Sequence, residues 1–411
     1  MWTVALMFSA LVGGTSVAQV NYIDTQFVWT CGIAKYEKPY QDAKACIKLN
    51  TRQDIVGGTP QSTFHAGVKW NTVWNRDGCY SIELACGHLD SATSANTMKY
   101  ITENKAGYGV VQLQDVCGHF GGWPMLTDGM TYATGTWAYI RQTGDTAFIK
   151  TAYGNIRRSL KMAENDAQDK TDGLFKGCSS FMESNSGYPQ EFAGRKTIIP
   201  GQNSVGNSKA GSTNMLYYVG YANAAKMAAY LGSRLGSKWQ DSVNELNQKA
   251  AALRTAINTH LWNASKGYYY YFKYANGTKH INNEGLAGAY AILFDVADSA
   301  QKLSILKNTI PTAWGHVCQY PQYPEWCPYK TSATAPSELY YHNYMVWPFV
   351  NGYLAWAAAK MKDADFFMNN MSNCALLWNR TQGGFLTVFN SVNDVKMTGQ
   401  WHEYYIPDQA A

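Results

Sequence analysis

From about residue 128 onward the chain is written as pairs of helical segments, with little strand-like alternation between them. Residues 128–143 carry helical periodicity and stop at Gly144, and residues 146–165 read as the return partner. Residues 212–231, rich in Ala, Tyr and Met and closed by Gly232, precede an amphipathic stretch at 238–261. Residues 284–297, 339–361 and 364–377 complete the clear segments, joined by short turns containing Gly or Asp. Each helical hairpin exposes an apolar face that only stacking on a neighbour can cover. The pattern therefore predicts an all-α chain, either a closed ring of hairpins or an open solenoid, whose hairpins would be shorter and more regular than these. A closed ring would gather its functional residues on the loops at one end.

The hairpins repeat at their ends. Leu261-Trp262-Asn263-Ala264-Ser265-Lys266-Gly267 closes one and Leu377-Trp378-Asn379-Arg380-Thr381-Gln382-Gly383 another. Both run into aromatic residues of strand-like character, which predicts short β-hairpins in the loops. Asp172-Gly173-Leu174-Phe175 sits at the comparable place after the 128–165 pair.

Charged residues make up 15% of the chain, against about 25% in an average protein. The chain carries 14 Trp and 29 Tyr, rings that suit an aromatic core or a surface handling sugars, whose apolar faces stack on them. The net charge of +5 is spread without a Lys/Arg block, which excludes a nucleic-acid track. No HExxH and no CxxC occurs, so neither a metal site nor any cofactor is expected. Residues 1–18 read as a signal peptide: an apolar run from Val4 to Val12, then Gly13, Gly14 and the small residues Thr15-Ser16-Val17-Ala18, with no Lys or Arg ahead of the run. That run is too short to span a bilayer, so a secreted chain without membrane insertion is expected. Four Asn-x-Ser/Thr sequons, at Asn263, Asn276, Asn370 and Asn379, fit export and a glycoprotein. Nine Cys are compatible with disulfides, with Cys318 and Cys327 the favoured pair across a Pro/Tyr-rich loop. Residues 19–65 would form an N-terminal segment ahead of a catalytic domain at 66–411.

Trp74-Asn75-Arg76-Asp77-Gly78 leads into an apolar run beginning at Cys79. A charged pair there is costly to bury unless it is paired or meets a ligand. It reads either as a sugar grip walled by Trp74 or as a helix cap with a local ion pair. The Trp-x-Arg-Asp run resembles the sugar-gripping motif of glucoamylases and their (α/α)6 relatives, including glycoside hydrolase family 63. Gly122-Trp123-Pro124 through Asp128, with Trp137 and Thr143-Gly144-Asp145, resembles the second hairpin of glycogen-debranching amylo-α-1,6-glucosidases. Tyr341-His342-Asn343-Tyr344-Met345-Val346-Trp347-Pro348-Phe349 is similar to the Tyr-His-Asn-Gly-x-x-Trp-Pro segment of debranching and disaccharide-cleaving relatives, with Tyr344 standing where they have Gly.

The resemblance spans most of residues 70–405 and implies an (α/α)6 toroid of six hairpins that hydrolyses an α-glucosidic or related α-linkage in an oligosaccharide or disaccharide. It implies an inverting pair of carboxylates, an acid for the leaving oxygen and a base for the attacking water. Glu403, in Gln400-Trp401-His402-Glu403-Tyr404-Tyr405, matches the base, and the two tyrosines could hold it ionised. Glu183, in Ser180-Phe181-Met182-Glu183-Ser184-Asn185-Ser186-Gly187-Tyr188-Pro189, stands where relatives present the acid, beside apolar residues that would keep it protonated. Glu191 is its rival in the same loop and Asp77 a weaker one. Trp74, Arg76, Asp77, Trp123, Asp128, His342, Asn343 and Trp347 would line the sugar site. Other readings are an (α/α)6 polysaccharide lyase using Tyr with His or Asn, a disaccharide phosphorylase, and a sugar-binding homologue without catalysis. Relatives continue with another helix where this sequence stops at Ala411, so either N-terminal residues close the barrel or the sequence is incomplete.

Overall fold

The computed structural model describes residues 29–67, 73–103, 128–180, 187–189, 204–236, 240–323, 343–380, 389–390 and 395–396. In chain order the helices are α1 (Ala34–Leu49), α2 (Asn75–Ser81), which runs through a π-helical stretch (Ile82–Cys86) into α3 (Gly87–Leu89), and α4 (Ser91–Thr102). Then come α5 (Asp128–Thr143), α6 (Ile149–Asp166), α7 (Gly211–Leu235), α8 (Gln240–Leu261), α9 (Gly285–Leu293), α10 (Ser299–Lys307), α11 (Pro348–Met361) and α12 (Ala364–Arg380). Two six-residue strands, β1 (Thr51–Val56) and β2 (Thr59–Phe64), form an antiparallel hairpin between α1 and α2.

Two kinds of helix alternate, and their sequences say which is which. In α6 the buried residues Ile149, Ala152, Tyr153, Ile156, Leu160 and Ala163 recur at three- and four-residue spacing. One stripe is covered and the rest faces water, as an outer helix requires. All nine residues of α9 are buried, so that helix must be surrounded. The inner helices α2, α5, α7, α9 and α11 pack in sequence, and α11 meets α2 again through a Tyr80–Phe349 stack with ring centroids 5.3 Å apart. The outer helices α6, α8, α10 and α12 each return against the inner helix before them, which is the all-α toroid of helical hairpins. Because every outer helix runs back, the inner helices are parallel and their N-termini share one end. Close approach of α5 to α2 depends on Gly135: a Cβ there would stand 3.0 Å from the Cys79 backbone.

Residues 34–64 are packed onto this ring. Helix α1 lies on α12, where Tyr36 and Ser372 hydroxyls meet at 2.9 Å, and β2 lies on α4. No two described cysteines are bonded to each other, and Cys327 lies outside the described residues.

Several boundaries differ from expectation for identifiable reasons. Helix α7 continues past Gly232 and ends at Gly236, the residue with positive φ (104°). The 284–297 segment breaks after Leu293, turns through Asp295 (φ 57°) and restarts as α10 behind an Asp298/Gln301 capping box. Helix α11 begins only at Pro348, because proline forces the residue before it out of the helical region and Trp347 is extended (φ −109°, ψ 115°). Helices α1 and α4 and the β1–β2 hairpin escaped the periodicity reading.

Glu83 sits in the π-helical stretch and is fully enclosed. Tyr353 Oη of α11 donates to it at 2.6 Å, a second tie between the last described inner helix and the first. Burial pushes its carboxyl up to about 7, against the opposing pull of hydrogen bonds from Tyr353 and Thr134 and the charge of Arg141. A carboxyl whose folded pKa exceeds its unfolded one contributes stability that is full below the unfolded value and is lost as pH rises through the folded one. Stability should therefore fall between about pH 4.5 and 7, with Glu83 contributing about 3 kcal/mol of that fall. Denaturant titrations at pH 5 and 7 should show a smaller difference in Glu83→Gln, and an unchanged difference would refute the assignment.

Candidate active site

The N-terminal ends of the inner helices carry an unusual density of small polar residues, and these bind backbone rather than water. At the start of α7, Ser208, Ser212, Thr213 and Asn214 are all buried. Asn214 takes both backbone groups of Phe175, at 2.7 and 3.1 Å, and Thr213 donates to the Cys178 carbonyl. Ser208 Oγ donates to the Gly177 carbonyl at 3.1 Å, and Ser212 Oγ accepts from the Ser180 amide at 3.1 Å. Residues 175–180 have only single bridges, Phe175 to Gln168 and Gly177 to Lys209, so the main-chain groups those bridges do not reach depend on these side chains. The segment is thereby laid across the mouth of the barrel.

Arg76 fastens it from the other side. The side chain is buried at the start of α2, and Nη1 donates to the Ser180 carbonyl at 2.8 Å. Tyr188, just after the 181–186 segment, accepts from the Ser179 amide at 2.7 Å and stacks on Tyr271 with ring centroids 5.4 Å apart. Both flanks of that segment are therefore tied to one place.

Glu284 is the N-cap residue of α9 and is buried, 1% exposed. Its Oε1 accepts from Ser212 Oγ at 2.9 Å and from Ser179 Oγ, while Oε2 has no partner among the described residues. Burial pushes its carboxyl up to about 7, with the hydrogen bonds from Ser179 and Ser212 pulling the other way. Residues Asn283–Glu284 pair with Gln319–Tyr320, the Cys318 amide donates to the Met345 carbonyl at 2.8 Å, and Val317 bridges Val346. A hydrogen-bonded belt thus links α2, α7, α9 and the lead-in to α11.

A second anchor lies behind the 175–180 segment. Lys209 is 2% exposed and its Nζ reaches Asp169 at 2.8 Å and Asp172 at 2.7 Å, while Lys273 reaches Asp172 at 2.8 Å. Burial would raise both aspartates, but hydrogen bonds from Lys209, joined at Asp172 by Lys273, hold both below the usual carboxylate range. Gly173, at φ +76°, gives the turn that brings Asp172 back onto the lysines.

The expected site residues fall into three groups. Trp74, Arg76 and Asp77 are buried at the N-terminus of α2, with Arg76 committed to the Ser180 carbonyl. Trp347 is buried as the N-cap of α11, and Asn343 exchanges two 2.8 Å hydrogen bonds with the Tyr323 main chain, shaping the mouth from behind. Asp128 opens α5, with its side chain outside the description. Glu183, Glu191, Trp123, His342 and Glu403 lie outside the described residues. Tyr344 adopts φ 76°, the left-handed region in which glycine is at ease. Glu284 was legible only as a helix start, although a carboxylate directly ahead of Gly285-Leu286-Ala287 is a charge sent into a core. Among the described residues no group of three His, Cys, Asp or Glu converges as a metal site, and no helix is long and apolar enough to cross a membrane.

A toroid of helical hairpins is the architecture of the six-hairpin glycosidases, a fold that by itself does not fix the chemistry. Residues 125–409 match the mannosylglycerate hydrolase MGH1-like glycoside hydrolase domain, and the chain belongs to that family. Its structure is similar to that of the family 63 mannosylglycerate hydrolase from Thermus thermophilus (TM-score 0.64, 12% identity, covering 90% of this chain and 98% of that one). It is also similar to the family 78 rhamnosidase of a Bacillus species (TM-score 0.63, 12% identity, 93% of this chain) and to a rhamnosidase from Klebsiella oxytoca (TM-score 0.57, 12% identity, 93% of this chain). The chain spans 35% of the Bacillus protein and 63% of the Klebsiella one. No curated protein matches the sequence.

Lys209→Met leaves Asp169 without its lysine and Asp172 with only Lys273. Breaking a buried pair in this way should destabilise the fold by about 3 kcal/mol. Chemical denaturation of the variant checks it, and a change under about 1 kcal/mol would show that the pair is solvated.

Proposed function

We propose that the chain is an inverting glycosidase hydrolysing an α-linked oligosaccharide or disaccharide, with Glu183 as general acid and Glu403 as general base. The observation that carries this reading is the 2.8 Å bond from Arg76 to the Ser180 carbonyl, across 104 residues of chain. It joins the Trp74–Asp77 motif to the segment that leads to Glu183, two stretches singled out from sequence on separate grounds. Asp77 and Trp74 lie beside that junction and would bind the sugar ring. The acid protonates the departing glycosidic oxygen, while the base takes a proton from water attacking the opposite face of the anomeric carbon.

Glu183→Gln and Glu403→Gln should each lower turnover on the preferred α-linked substrate by at least about a thousandfold while sugar binding survives. A panel of α- and β-linked disaccharides together with mannosylglycerate and rhamnosides, followed by NMR, reads the anomer first released. Normal turnover in either variant removes that residue from the mechanism, and a retained anomer removes inversion.

The same reading takes the chain out of the cytosol, supported by the apolar run and small-residue site in residues 1–18. Burial discriminates among the sequons. Asn263 and Asn370 are buried, whereas Asn276 is exposed in a turn with Gly277 (φ 88°), its Oδ1 accepting from the Thr278 amide at 3.0 Å. Secreted from a glycosylating host, the protein should carry a glycan at Asn276 and none at Asn263 or Asn370. Peptide mass spectrometry after glycan removal checks this, and modification of Asn370 would contradict the burial.

A further inference from the structure

We propose that Glu284 is a positioning residue of the active site, fastening the backbone at Ser179 and Ser180 to the first turns of α7 and α9. The inference rests on reading the barrel mouth as the glycosidase site. One carboxyl oxygen, Oε1, gathers the hydroxyls of Ser179 and Ser212, and Ser212 Oγ in turn accepts from the Ser180 amide at 3.1 Å. The Ser179 amide is spent on Tyr188, and the Ser180 carbonyl on Arg76. Removing Glu284 therefore leaves the two hydroxyls only their 3.3 Å contact with each other and loosens the only side-chain contact described for the Ser180 amide.

The surroundings of Glu284 fix the form in which it works. Among the described residues the titratable groups facing it are Tyr188, Tyr271, Tyr290 and Cys318, from the 187–189 segment, the link between the strands at 268–269 and 272–273, α9 itself and the residue before the strand at 319–320. All are neutral at working pH, and no cation is among them. Oε2 is buried and has no hydrogen-bond partner among the described residues. An unpaired buried carboxylate is far more costly than an unpartnered carboxylic O–H, because a full charge loses more solvation than a neutral dipole. The neutral acid is the cheaper species, consistent with a carboxyl pushed up to about 7 by burial. In that form Oε1 serves as a carbonyl acceptor and Oε2 carries the proton. An amide reproduces both the acceptor and a donor in the same plane, so glutamine should replace it.

The test uses Glu284→Gln and Glu284→Ala in the full chain. Amide hydrogen exchange of Ser179 and Ser180 should be unchanged in the glutamine variant and about tenfold or more faster in the alanine variant. With the best substrate of the panel, the alanine variant should lose about a hundredfold in kcat with KM within roughly twofold, and the glutamine variant should recover most of it. Should Glu284→Ala not fold, the pair Ser179→Ala and Ser212→Ala removes the same two hydroxyls without burying a new void, and should show the same exchange and kcat losses. Wild-type protection of Ser180 in these variants, a kcat loss matched by loss of folded protein, or a glutamine variant as impaired as alanine would each overturn the proposal. Wild-type inactivity across the panel would instead sink the glycosidase reading, and the exchange rates would still decide the role of Glu284.

Discussion

The arrangement at the barrel mouth depends on how residues 175–180 satisfy their backbone with only two single bridges, Phe175 to Gln168 and Gly177 to Lys209. The amides and carbonyls that those bridges leave over cannot be left dry. Small polar residues in the first turn of α7 solve this, each taking one or two groups: Asn214 at Phe175, Thr213 at Cys178, Ser212 at Ser180. Those residues favour helix starts because short polar side chains reach backbone nearby. Here they reach a neighbouring segment instead, so a local helix-start preference becomes a tertiary clamp.

Buried charge around the clamp is handled in two opposite ways. Behind it, Lys209 meets Asp169 and Asp172, and Lys273 meets Asp172, a full set of partners at salt-bridge distance. Such a cluster is a poor source of net stability compared with apolar packing, but it is intolerant of losing a member. In front of it, Glu284 and, deeper in the ring, Glu83 are enclosed with hydroxyl partners and no ion pair. Both carboxyls are pushed up to about 7. The anchor behind is held by charge and the ties in front by hydrogen bonds to neutral acids. A rise in pH through neutrality therefore acts on the front of the mouth and on the α2–α11 seam, while Asp169 and Asp172 behind stay ionised.

What could be read from sequence follows from the range of the interactions involved. Helices α5, α6, α8 and α12 were visible because one-sided burial leaves a period in the apolar residues. Helix α10 has little such signal, since only Ile305 and Leu306 are buried, and its Asp298 cap is a better mark than its pattern. Helix α4 buries Thr93, Ser94 and Thr97, polar residues that a hydrophobic period cannot register. The same holds for the site. Arg76 was legible because a charge beside a core segment needs a reason, but its partner is a carbonyl 104 residues away, and sequence carries no trace of a carbonyl. Asn343 was likewise marked as a sugar ligand on resemblance, while its amide is engaged by the Tyr323 main chain.

Tyr344 departs from the motif it resembles yet adopts the backbone conformation that glycine favours. Relatives resembled by the Tyr341–Phe349 segment have glycine here, and the φ of 76° at Tyr344 is the conformation that glycine would supply freely. A tyrosine held there costs on the order of 1 kcal/mol or more of backbone strain, which must be offset by its surroundings. Its ring lies 5.9 Å from that of Tyr320 and packs on the small cluster of Val317, Val346 and Leu377. Val317 and Val346 are bridged, and Cys318 and Met345 are hydrogen-bonded, so both chains around Tyr344 are already tied down. The turn before α11 is thus imposed from its two ends and by the Pro348 that follows. The residue inside it is therefore held at a glycine-like φ by its neighbours rather than by its own preference.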